Sequence, residues 1–385
     1  FFLSIYEIYM KNIAIIVGTN TDAIDVNNFP KWLKDIPDNI FELSMEKWDK
    51  DYYGLSSDVG IAYYLLKKSK TNKNIRVSIL NKKHINLETF NKFDYILGLY
   101  CPYYLAFDTK SSKEYNRYNN LIKNTKAKFY QPLSLQKFVI NKKRYLTELK
   151  KHNIPVVDTI YFKVVDNMNI NNMLSKINKE CNNWNQKYFI TKPQPGGFGI
   201  GFKKWELSKV LKNKKSFASY IKKIEKLVRL DIPYLLVQPF VPEFEKFYEV
   251  RTYWLNGKYS HSLGTIIDPD SLGKEGFEKV KFAYPENEYK PILEELDNGY
   301  ELIDVKLINN LKKIAQKIIK ILPKDKTGLP LLLRLDFGCC LDNKDVCRNY
   351  FLNEIEYNPN LFPEYNRHVD IMKRVGDAFL KKINT

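Results

Sequence analysis

Cysteine is scarce in this chain. Only five occur in 385 residues, Cys101, Cys181, Cys339, Cys340 and Cys347, odd in number and unevenly spaced. That excludes a dense disulfide framework and predicts free thiols in a reducing, cytoplasmic setting. Cys339, Cys340 and Cys347 lie close together but lack a fourth ligand at zinc-like spacing, so no zinc site is expected. Long apolar runs are absent as well. None approaches the roughly 18 residues of a membrane-spanning helix, so no membrane partner is expected. The opening "FFLSIYEIYM" has no basic start and no small-residue cleavage site. Met10 reads as a natural beginning, with residues 1–9 as either an upstream extension or a segment added to the natural chain. No internal repeat and no low-complexity linker is visible.

Apolar and aromatic residues, by contrast, are plentiful, at 44% and 14%. They describe a globular protein, and 385 residues exceed one ordinary core, so two or three domains are expected. The net charge is +18, from 62 basic and 44 acidic residues. The basic residues are scattered among acids, in a chain crowded with Lys, Asn, Ile and Tyr, which A/T-rich codons encode. Most of the charge therefore reads as coding bias, and nucleic acid is not the expected partner. A few lysines remain for a phosphate site.

Strands are predicted at 12–18, 75–80 and 93–99, with a helix at 61–68. Such alternation over residues 10 to about 135 indicates a small α/β domain with a parallel sheet. "NKKRYLTELKKHNIP" (141–155) is a helix capped by Asn141 and ended by Asn153 and Pro155. "SKVLKNKKSFASYIKKIEKLVRL" is one amphipathic helical stretch whose lysines form a solvated face. Residues 234–241 are a buried strand, and "YEVRTYWLNGKYSHSLGT" (248–265) is a hairpin around "NG". Residues 266–304 read as an irregular insertion, 305–322 as a helix, and the last stretch as a closing helix.

One loop points to phosphate. "KPQPGGFGIG" (192–201) packs four glycines behind a lysine, and bare main-chain N–H groups are what wraps phosphate oxygens. A P-loop carries its lysine after the glycines and leads into a helix. Here the lysine comes first and a strand follows, which also fails a dinucleotide-binding fingerprint. A glycine loop between antiparallel strands is instead a flap over ATP. "DFG" at 336–338 lacks the companion motifs of protein kinases and reads as coincidence.

Acids supply the second signal. Asp336 lies in the strand "LLLRLDFG", and Glu354, Glu356 and Asn358 lie in "FLNEIEYNPN". Strand alternation puts the last three on one face, with Asp336 beside them. Carboxylates in otherwise apolar strands need a metal or a partner, and an oxygen-rich cluster suits Mg²⁺.

This ordered set resembles the ATP-grasp superfamily of carboxylate–amine and carboxylate–thiol ligases, from "NKKRYLTELKKHNIPVVDT" to "EIEYNPN". The resemblance implies an α/β ATP-grasp fold with three parts: a Rossmann-like domain at 10–135, a lid subdomain with the flap at 136–240, and a metal-bearing subdomain at 241–385. It implies ATP with Mg²⁺ or Mn²⁺, and an acylphosphate made from a carboxylate and attacked by an amine. By position, Lys142 (with Lys143 and Arg144 as neighbours) and Lys192 match phosphate lysines. Gly196, Gly197, Gly199 and Gly201 match the flap. Gln238, Pro239, Phe240 and Val241 match the adenine hinge. Glu249 matches the ribose acid, with Glu243 and Glu245 as rivals. Arg251 resembles the arginine near the transferred phosphate, and Arg334 the one that steadies the tetrahedral intermediate. Asp336, Glu356 and Asn358 match the metal ligands, while Glu354 is extra to the core pattern. The substrates are expected to be a small carboxylate and an amine, with an acidic peptide or protein tail as a second possibility and phosphorylation of a polyol as a third. His84 and His152 look like surface residues. His261 and His368 fall near the cleft, where a structural role is favoured for each.

Overall fold

A computed structural model of the chain describes residues 10–18, 22–45, 54–100, 111–194, 201–227, 233–245, 247–266, 279–283, 301–324, 327–341, 347–363 and 370–384. Three main sheets carry the fold.

The first is parallel, in the order β4-β1-β5-β6, from β1 (Lys11–Ile16), β4 (Ile75–Leu80), β5 (Tyr95–Gly98) and β6 (Lys128–Tyr130). A ribbon of β2 (Ala23–Asp25) and β3 (Gly54–Ser56) stands beside it. β1 shows why its sequence is an unbroken apolar run. Ile13 and Ile15 enter one core with the helices Ser57–Thr71 and Ile371–Ile383, while Ala14 and Ile16 enter another with Phe90, Tyr118 and Phe129. A strand buried on both faces has no polar alternation.

The second sheet is antiparallel, in the order β7-β10-β8-β9, from β7 (Ile160–Lys163), β8 (Tyr188–Gln194), β9 (Lys203–Glu206) and β10 (Tyr234–Pro239). Phe189, Leu235 and Val237 pack with Leu174 and Ile177 of the helix Ile170–Asn183 and with Phe217 and Ile221 of the helix Lys215–Glu225. The single helical stretch expected after β9 is two helices, Leu207–Lys212 and Lys215–Glu225. Asn213 divides them, because its side chain accepts from Lys215 N (3.1 Å) and so offers the backbone an alternative to continuing the first helix.

The third sheet has the order β14-β13-β12-β11-β15-β16, from β11 (Glu249–Leu255), β12 (Lys258–Ile266), β13 (Lys279–Ala283), β14 (Glu301–Leu302), β15 (Leu332–Leu341) and β16 (Cys347–Glu356). Asn256 (φ 50°) and Gly257 (φ 74°) form the predicted tight turn between β11 and β12. A Cβ on Gly257 would also stand 2.6 Å from Leu329. The 266–304 segment is not irregular throughout. β13 and β14 extend the sheet, since the outer edge of β12 presents unpaired N–H and C=O groups that recruit a strand. One face of this sheet packs on the helix Val305–Ile321 through Leu307, Ile308, Leu311, Ala315 and Ile318. The other face carries the polar residues described below.

Two features hold the parts together. Gln131, after β6, donates to the carbonyls of Leu332 and Tyr357 (2.8 Å for the latter) and accepts from Leu331 N (3.1 Å). The helix Ile371–Ile383 packs on Ser57–Thr71, where Tyr64 OH donates to Asp377 (2.6 Å). No helix among the described residues is long and apolar enough to cross a membrane. The expectation of free thiols is corrected at one position. Cys181 and Cys340 are free, but Cys339 is disulfide-bonded. Spacing along the chain does not reveal this, because strand register decides which positions meet.

Candidate nucleotide and metal site

β11, β15 and β16 run side by side, and their register assembles the site. Arg251 pairs with Asp336, Asp336 with Glu354, and Arg334 with Glu356. Residues at alternating positions share a face, so Glu249, Arg251, Arg334, Asp336, Glu354 and Glu356 crowd one patch. Arg334 bridges two of the acids. Its Nε and Nη2 donate to the two oxygens of Asp336, each at 2.8 Å, and Nη2 also pairs with Glu356 at 3.0 Å. The side chains of Arg334 and Asp336 are only 7% and 2% exposed, so this forked pair is desolvated.

Two lysines arrive from other elements. Lys142 opens the helix Lys142–Lys151, whose start Asn141 caps by accepting from Arg144 N (3.0 Å), and its Nζ forms an ion pair with Glu354. Lys192, on β8, reaches Asn353 Oδ1 at 3.2 Å. The amide of Asn353 in turn donates to Glu249 Oε1 (2.6 Å), and Arg251 takes Glu249 Oε2 (2.9 Å). Four acids (Glu249, Asp336, Glu354, Glu356) thus face four cations (Lys142, Lys192, Arg251, Arg334).

The electrostatics follow from burial and pairing. Burial raises the Asp336 carboxyl even against Arg334, and pushes Glu356 up to about 7, helped by Glu354 and Asp336 nearby. Burial acts the same way on Glu354 and Glu249, but Lys142 and Arg251 overcome it and hold both below the usual carboxylate range. Burial, then the like charge of Lys142, lowers the Lys192 ammonium to about 8. One oxygen from each of Asp336, Glu354 and Glu356 falls within 4.8 Å of the others. Three hard oxygen donors at such spacing fit Mg²⁺ or Mn²⁺.

Other expected residues are placed as follows. Glu354, expected as an extra, stands inside the acid cluster. Asn358 lies beyond the end of β16 at Glu356, so the alternation argument does not reach it. Both oxygens of Glu249 are engaged within the cluster. Gln238 is buried at the end of β10, with its Nε2 donating to Thr159 Oγ1 (2.9 Å). Phe240 N donates to Tyr188 O (3.2 Å), the Phe240 ring carries Lys204 Nζ 3.5 Å from its centroid, and the Val241 carbonyl accepts from Phe244 N (3.3 Å). Gly201 adopts φ +72° at the foot of the loop, where a Cβ would stand 2.7 Å from Pro193. Gly196, Gly197, Gly199 and His368 lie outside the described residues, as does the side chain of Glu245. His84 and His152 are exposed. His261 is fully buried and stacked on Tyr253, with ring centroids 4.4 Å apart; burial, then Arg374, depresses it to about 3.

Sequence reasoning missed Asn353. An uninterrupted strand would turn it away from Glu354, and a β-bulge is what brings it in.

These elements together are the α/β ATP-grasp fold, and comparison with known structures agrees. The chain is similar to D-cycloserine synthetase DcsG, at 14% identity and a TM-score of 0.58, over 97% of this chain and 99% of that one. It is similar to D-alanine–D-alanine ligase from Bacillus anthracis complexed with ATP, at 11% identity and 0.54, over 97% and 99%. A third is the ATP-grasp ligase PsnB complexed with minimal precursor, Mg and ADP, at 11% identity and 0.52, over 97% and 98%. No family model matches the sequence, and no curated protein matches it. The likeness is therefore one of fold.

Proposed function

We propose that this protein is an ATP- and Mg²⁺-dependent ligase that joins a carboxylate to an amine through an acylphosphate. The observation that carries this reading is the meeting of Asp336, Glu354 and Glu356 with Lys142, Lys192 and Arg334, drawn from three separate parts of the chain. The similarity to ligases complexed with ATP or with Mg and ADP supports it. The unit 10–135 would contribute to the substrate side, 136–240 the flap and 241–385 the metal acids.

In the proposed reaction an oxygen of the substrate carboxylate bonds to the γ-phosphorus of ATP, and the bond to the β-phosphate oxygen breaks, releasing ADP. The amine nitrogen then bonds to the acyl carbon, inorganic phosphate leaves, and the amine loses its proton. Asp336, Glu354 and Glu356 would hold Mg²⁺ or Mn²⁺, which when bound neutralises charge on the transferred phosphoryl group. Lys142 and Lys192 would bind phosphate oxygens, with Gln238, Phe240 and Val241 beside the adenine and the glycine loop excluding water. Arg251 and Arg334 would face the reacting centre. A single well-placed donor to the oxyanion of the tetrahedral intermediate is worth about 3 kcal/mol.

Release of ADP, measured across panels of carboxylates and amines, tests the reading. Activity should need both substrates, and Asp336→Asn or Glu354→Gln should lower it by at least about a hundredfold while leaving the protein folded. Phosphate appearing on a polyol with no dependence on carboxylate would replace the ligase with a kinase. An acidic peptide or protein tail as the acceptor is a second reading, favoured by similarity to a ligase complexed with a minimal precursor. It predicts turnover that falls steeply with added salt.

A further inference from the structure

Asn353 occupies an unusual place. β16 pairs Glu354 with Asp336 and Leu352 with Phe337, leaving Asn353 between them with no partner in the register. It is the extra residue of a β-bulge. The bulge changes which side chains share a face. Leu352 and Ile355 are three apart yet both enter the same core, so the alternation has slipped by one. Asn353 and Glu354 are consecutive, and both reach the polar patch. Bulges beside sites commonly re-aim a side chain in this way.

The re-aimed amide bridges two groups of opposite charge. Its oxygen meets Lys192 Nζ at 3.2 Å, and its nitrogen meets Glu249 Oε1 at 2.6 Å. An amide has one end of each kind, so it satisfies both neighbours at once. A carboxylate there would bind the lysine and repel Glu249. A small apolar residue would leave Lys192 and Glu249 to collapse onto each other. The hydrogen bond that holds the Lys192 ammonium here is thus to a neutral amide.

We infer that Asn353 is a positioning residue that holds Lys192 apart from Glu249 and directs its ammonium toward the phosphates of a bound nucleotide. The inference rests on the nucleotide reading above and adds a residue to it. Asn353 acts through Lys192, so it should govern affinity for phosphate and leave affinity for the nucleoside alone.

The test compares ADP with adenosine, by calorimetry in metal-free buffer with a chelator, which keeps the acid cluster out of the comparison. Asn353→Ala should weaken ADP about tenfold, a difference of about 1.4 kcal/mol, and leave adenosine within about twofold. Asn353→Asp, which keeps the shape and folds if the alanine variant does not, should weaken ADP further by pairing with Lys192. In a Lys192→Met background, Asn353→Ala should have no additional effect on ADP. Unchanged ADP affinity in Asn353→Ala overturns the inference. So does an equal loss for ADP and adenosine, or a full additional loss in the Lys192→Met background. A wild-type protein that binds ADP no better than adenosine overturns the nucleotide reading, and the inference with it.

Discussion

Replacing Arg334 with methionine keeps most of the side-chain volume and removes the guanidinium shared by Asp336 and Glu356. The structure gives the size of the effect. Two hydrogen bonds of 2.8 Å and an ion pair of 3.0 Å disappear, from side chains of which Arg334 is 7% and Asp336 2% exposed. Removing one partner of a buried pair leaves an uncompensated charge and destabilises by about 3–5 kcal/mol. The carboxyls can escape by taking protons. Burial already raises Asp336 and pushes Glu356 up to about 7 while Arg334 pulls both down, so losing the arginine raises both further. An acid raised in the folded state binds protons that the unfolded state has released, so its stabilising effect is lost as pH rises. The deficit of Arg334→Met should therefore be largest near pH 8 and shrink near pH 5. Urea unfolding at both values measures it. Mg²⁺ should also stabilise this variant at least as much as the wild type, by about 2.7 kcal/mol at a hundred times the dissociation constant. A deficit below about 1 kcal/mol at pH 8, or one that grows toward pH 5, would refute the argument that a desolvated pair is being broken.

Two further outcomes follow from shifted carboxyls. Asp22 accepts from Ser57 Oγ (3.0 Å) and from the backbone N–H groups of Leu361 and Phe362, yet its Oδ1 is buried without a partner, and burial pushes its carboxyl from 3.8 to about 6. The folded chain keeps that proton between pH 3.8 and about 6, so stability should fall by about 3 kcal/mol as pH rises through the window, and Asp22→Asn should flatten the slope in urea unfolding; an unchanged slope refutes the assignment. At the proposed metal site Glu356 would have to lose its proton to bind a cation, so Mn²⁺ affinity measured by electron paramagnetic resonance should climb until about pH 7 and then level off. Glu356→Gln should remove the dependence, and a wild-type profile that is flat from pH 5 to 8 contradicts it.

What the sequence discloses, and what it hides, divides along the line between local and non-local physics. The "NG" turn, the Asn141 cap and the apolar run of β1 are legible because each is decided within a few residues: a left-handed turn, an orphan N–H, a strand buried on both faces. Asp336, Arg334 and Glu356 are legible for a related reason, since alternation along two adjacent strands predicts which side chains meet. That logic fails where the alternation itself changes. It does not reach Asn358, because β16 ends at Glu356, and it turns Asn353 away, although the bulge turns it back. The insertion at 266–304 was unreadable because β13 is held by an edge of β12 and not by its own pattern. Glu249 illustrates the deepest limit. Its place before "VRTYWL" marks it as an acid of the cleft, yet what its two oxygens touch is settled by Arg251 on its own strand and by Asn353, 104 positions away. A carboxylate's role in such a site is fixed by the cations and amides that reach it first. The register between strands, more than the motif around each residue, therefore decides which acids are free for a metal or a ribose and which are spent holding the others in place.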